Sequence, residues 1–184
     1  MPISVYSSAN PSIPGDGVIW YLHPLLAFLV GVVHAALAPV IVIAGVKPNL
    51  VLVAVVLVTA TLGFLPGIMW AFVGGLSANL LVGEPLGSIP LALLVVSALV
   101  AGGGRLLGRM NWAYPVVAAF AGSVVADLGS LLLGQLVSDA PLLLGLPTDL
   151  VLAAAVLNAG IAAVLLLPTR LLVARYAADE APAW

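Results

Sequence analysis

Four side chains with polar or ionisable groups fall inside long apolar stretches of this 184-residue chain: His34, Asn79, Asp127 and Asn158. A carboxyl and an imidazole can pair or pass a proton between them, and amides can donate and accept around such a pair. Groups of this kind are expensive in hydrocarbon, so each is a candidate functional residue. With a rise of 1.5 Å per helical residue, His34 lies at about 22 Å, Asn79 at about 20 Å and Asp127 at about 18 Å from the ends of their helices. Asn158 falls at about 16 Å on the same scale. The four are expected to form one polar cluster slightly outside the midplane, with Asp127 paired to His34 or accepting from an amide. The alternative is that each bonds locally and alone, or that Asp127 is protonated.

Other chemistries lack their residues. There is no cysteine, so no disulfide, thiolate metal site or thiol nucleophile. Two histidines leave little for a metal centre, and no cofactor is expected. Gly102-Gly103-Gly104-Arg105 lacks the spacing of a phosphate-binding loop. Gly75-Leu76-Ser77-Ala78 resembles the Gly-x-Ser of rhomboid-type intramembrane proteases, but both histidines, His23 and His34, precede it. A serine without a placed base is a weak nucleophile, and the ordinary reading of Ser77 is a hydroxyl bonded one turn back. No enzyme activity is expected, and catalytic residues are none.

The elements that would hold these groups follow from composition. The chain is 64% hydrophobic and 7% charged, whereas soluble domains carry roughly 25% charged residues. It therefore reads as an all-α polytopic membrane protein. Five Lys and Arg in all cannot build a nucleic-acid surface. Six apolar segments approach the length of a span: 18–44, 50–65, 66–82, 86–104, 115–136 and 149–172. The second and third are short, which suggests tilt or burial in protein. Trp20, Tyr21, Trp112 and Tyr114 read as interfacial aromatics. Pro90 falls in the first turns of its helix, where a missing N–H does least harm. Asp149 complements the start of the sixth helix, and Pro168 should kink that helix near its exit.

The layout is a tail over 1–17, a six-helix domain over 18–176 and a tail over 177–184. Six passes put both termini on one side, with Arg105, Arg109, Arg170 and Arg175. Lys47, Glu84 and Asp139 fall on the other. The positive-inside rule then makes both termini cytoplasmic.

Small residues mark where helices can approach closely. The fifth segment has Ala118, Gly122, Ala126, Ser130 and Gly134, and the sixth has Ala155, Ala159 and Ala163. The third has Ala71, Gly75 and Ala78 or Asn79. These stripes either pack the bundle internally or dock a partner's helix. Beyond the third segment, Gly83-Glu84-Pro85-Leu86-Gly87 is turn chemistry. The candidate helix-contact and turn residues are thus Gly74, Gly75, Ala78, Gly83, Pro85, Gly87, Gly122 and Ala126.

Gly74-Gly75-Leu76-Ser77-Ala78-Asn79-Leu80-Leu81-Val82-Gly83-Glu84-Pro85-Leu86-Gly87 resembles the Gly-Leu-x-x-Asp-Leu-Leu-x-Gly-x-Pro-Leu-Gly signature of the rod shape-determining MreD family. Lys47-Pro48-Asn49-Leu50 is similar to that family's Arg-Pro-Asp-Leu segment. Asn49 and Asn79 stand where the family often has Asp, and an amide keeps the hydrogen-bonding shape. The resemblance implies a non-enzymatic subunit of the bacterial cell-elongation complex in the inner membrane. It would bind MreC, help regulate the peptidoglycan synthase pair of RodA and a class B penicillin-binding protein, and connect indirectly to MreB. The family's fold is similar to the S components of energy-coupling-factor transporters. An S component for a vitamin or other small solute is therefore the alternative. Such a component needs a polar, hydrated pocket, and the short, polar-poor outer loops favour the scaffold.

Overall fold

A computed structural model describes the chain over 16–37, 39–43, 45–83, 85–107, 113–137 and 148–179, with side chains 16–20, 107, 133–137 and 176–179 excepted. Six α-helices carry it: α1 (Asp16–Leu37), α2 (Leu50–Leu62), α3 (Phe64–Val82), α4 (Ser88–Leu107), α5 (Tyr114–Val137) and α6 (Thr148–Asp179). Four of them, α3 to α6, are long and apolar enough to cross a membrane. The fold is a polytopic membrane bundle. The first fifteen residues, Glu84, Arg109, Trp112, Asp139 and 180–184 lie outside the described residues.

The shortest helix sits at the centre. α2 has 13 residues, about 20 Å of helix against a hydrocarbon core of about 30 Å. It packs against every other helix of the bundle. Val51, Leu52, Val53, Val55 and Val56 are buried around its circumference. A helix apolar on all sides belongs inside protein or lipid. β-Branched valine is a modest helix former, but without water the backbone can satisfy its hydrogen bonds only within the helix.

Contacts between helices fix their directions. Trp70 of α3 meets His23 of α1, and Gly74 lies under Ala27. Ser77 reaches Phe28, so α1 and α3 run parallel. Gly67 lies beside Thr59 and Gly74 beside Val51, so α2 runs against α3. By the same reading Gly75 beside Pro90, Gly67 beside Ser97, Gly103 beside Tyr114 and Gly122 beside Val96 make α3, α4 and α5 alternate. Arg105, Arg170 and Arg175 then lie toward one end of the bundle and Lys47 toward the other.

Several boundaries differ from those expected. α1 stops at Leu37 rather than running to residue 44. Pro39 cannot continue a helix and disfavours helical backbone before it. Ile43 and Val46 instead exchange hydrogen bonds across Gly45, which has φ +80°. α6 runs through Pro168 to Asp179, beyond the expected exit. Tyr114, at the start of α5, is buried in the bundle: its hydroxyl donates to the Val100 carbonyl and its ring packs beside Gly103. Pro90 sits in the first turn of α4 as expected.

Candidate functional site

The small residues are consumed inside the bundle. A Cβ on Gly74 would lie 3.1 Å from the Ala27 carbonyl oxygen, and one on Gly75 would lie 2.8 Å from Pro90 Cα. A Cβ on Gly122 would lie 2.8 Å from a Val96 methyl. Ala78 and Ala126 are buried. These positions contact other helices of the bundle, while Ser130 and Ala163 on the same rows are exposed. Ser77 lies 2.9 Å from the Gly74 carbonyl one turn back and 3.3 Å from the Phe28 carbonyl, which its single proton serves.

The turn after α3 is built by its own residues. Gly83 caps α3 in the left-handed region at φ +76°, and Gly87 has φ +94°. Glycine adopts both without the Cβ penalty. Ser88 N–H donates to the Pro85 carbonyl at 3.1 Å. Asn79 Oδ1 accepts from Gly87 N–H at 2.7 Å, which ties the helix end to the far side of the turn. Asn79 does not line the cavity with the other three, and its carbonyl oxygen serves the α3–α4 connection instead. Asn79→Leu is expected to cost about 0.5–1.5 kcal/mol in detergent unfolding, because it removes the acceptor of the half-buried Gly87 N–H. Asn79→Asp keeps the acceptor and should retain most of the stability.

The other three polar residues do meet. His34, Asp127 and Asn158 line one cavity of about 470 Å³, joined by Lys47 and Asn49. Apolar walls come from Ala35, Pro39, Pro48, Leu81, Val82 and Ala154. The cavity lies toward the Lys47 end of the bundle, where α1 and α3 finish and α2 begins.

One side of it is a hydrogen-bonded relay. Asn49 caps α2 by accepting from Leu52 N–H at 3.0 Å. Asn49 N–H donates to Asn158 Oδ1 at 2.8 Å, and Asn158 Nδ2 donates to Ser123 Oγ at 2.8 Å. These bonds fix the Asn158 amide orientation and join α2, α6 and α5. Asn158 and Ser123 are fully buried. Asp127 follows Ser123 by one turn, and Ala154 precedes Asn158 by one turn, so each pair shares a helix face.

The expected pairing of Asp127 is not made. Asp127 Oδ2 and His34 Nδ1 are both buried without a hydrogen-bond partner among the described residues. Agreement in depth brought them to one cavity but not into contact through these atoms. Asn49, Lys47 and Ser123 are the additions. Asn49 is an N-cap type ahead of an apolar run, but it lies outside any span, so depth in the membrane gives no signal for it.

The class that fold and site define is a polytopic helical membrane protein with a polar cavity toward one end. Comparison with protein-family models, with curated proteins and with solved structures finds no match in any of the three.

Proposed function

We propose that the chain is a non-enzymatic membrane subunit of the bacterial rod-shape complex, similar to MreD, and that it binds the bitopic protein MreC. Its supporting observation is the stretch from Gly74 to Gly87. The described residues of the signature that carries the resemblance act as one unit: small residues seat α3 on α1 and α4, and Asn79, Gly83 and Gly87 close the turn. In this reading both termini face the cytoplasm of a bacterial inner membrane, consistent with arginines toward one end, and the bundle works with RodA, a class B penicillin-binding protein and, indirectly, MreB. The cavity favours a second reading, an S component of a small-solute transporter, because such a subunit needs a polar pocket.

Purification from its native membrane in mild detergent separates the two. A copurifying single-span protein with a coiled-coil domain is expected. A copurifying ATPase pair would replace the first reading with the second.

A further inference from the structure

The cavity opens to the outside and is not a closed packing void. At about 470 Å³ it falls within the range of small-molecule sites, roughly 300–1,000 Å³. Apart from Lys47, its polar groups divide into two sets. Asn49 and Asn158 are committed to the relay that joins the helices. His34 Nδ1 and Asp127 Oδ2 are committed to nothing among the described residues. Buried polar atoms are almost always paired, and one left unpaired calls for an explanation.

Charge narrows the ligand. Lys47 is exposed, while His34 and Asp127 are half-buried. An anion alone would meet the Asp127 carboxylate, and a cation alone would meet the Lys47 ammonium. A metal ion would find no cluster of three ligating side chains among the described residues. A molecule carrying both charges, with an apolar portion for Ala35, Leu81, Val82 and Ala154, complements the whole lining.

We propose that this cavity binds a small zwitterion of the free amino-acid class, with its ammonium toward Asp127 and His34 and its carboxylate toward Lys47. Both unpaired atoms are covered, so this binding mode requires the His34 and Asp127 side chains to rotate toward the ligand. The inference rests on the cavity alone. A scaffold could use the site to sense a solute, and a transporter subunit could use it to carry one.

The test uses the full chain in phosphatidylcholine nanodiscs, whose lipid brings no primary ammonium group. Binding of L-leucine is compared by calorimetry with that of its two halves, 3-methylbutylamine and 4-methylpentanoate. Saturable leucine binding is expected, with each half weaker by about tenfold or more, since each lacks one charged contact. Asp127→Asn should weaken leucine and the amine but not the carboxylate. Lys47→Gln, at an exposed position, should weaken leucine and the carboxylate but not the amine. The comparison of halves on the unaltered chain stands even if Asp127→Asn fails to fold. No saturable leucine binding up to about 10 mM, or binding as strong for a half as for the whole, would overturn the proposal. Neither result depends on which protein copurifies.

Discussion

Gly31→Leu is expected to detach α1 from the bundle. A Cβ at Gly31 would fall on Ser77 Oγ and lie 2.5 Å from the Gly74 carbonyl oxygen. The serine could rotate away, but the carbonyl belongs to α3 and moves only with that helix. Overpacking of this kind usually costs about 1–3 kcal/mol and sometimes more. Here the upper end applies, because α1 packs only on α2 and α3 among the described elements. Little else would hold it in place. The expected readout is loss of the monodisperse peak in detergent chromatography and faster proteolysis after α1. Gly102→Leu is the control: nothing lies within 4 Å of its added Cβ, and the change should stay within about 0.5 kcal/mol. Equal behaviour of the two variants would show that the α1–α3 crossing is not close.

Asn158→Leu is expected to cost about 1–3 kcal/mol, measured by denaturant titration in mixed micelles. It deprives Asn49 N–H of its acceptor and Ser123 of its donor in one step. Hydrogen bonds between membrane helices average only about 0.6 kcal/mol, so a typical bond would predict less. Two features raise this one. The residue is fully buried, and the N–H it serves belongs to the backbone at the start of the central helix. A double-mutant cycle isolates the relay. In a Ser123→Ala background, Asn158→Leu should cost less than in the native chain. Full additivity would mean that Asn158 and Ser123 contribute separately.

The helices and their order could be read from apolar runs, because lipid leaves the backbone no alternative. Their ends were less legible. Residues 40–43 are as apolar as a helix, and hydropathy cannot tell that Pro39 and Gly45 have ended one. Tyr114 reads as an interfacial aromatic by position, yet its hydroxyl finds a carbonyl inside the bundle. For the site, counting residues gave depth but not azimuth. His34, Asp127 and Asn158, similar in depth, line one cavity without the expected Asp127 pairing, while Asn79 bonds to the turn. Gly31 shows a signal that was present. Ala27, Gly31 and Ala35 have the same fourfold spacing as the α5 row, and that spacing marks a face for close approach.

The central position of α2 has a consequence for biosynthesis. Its 13 residues fall short of the roughly 20 that a lone helix needs to span the hydrocarbon. A nascent chain ending after Leu62 would lack α3, which turns back on α2 directly through Gly63. Integration of α2 is therefore expected to wait for the following segment, the two entering as a pair. Its remaining walls, from α4 to α6, arrive only as translation finishes.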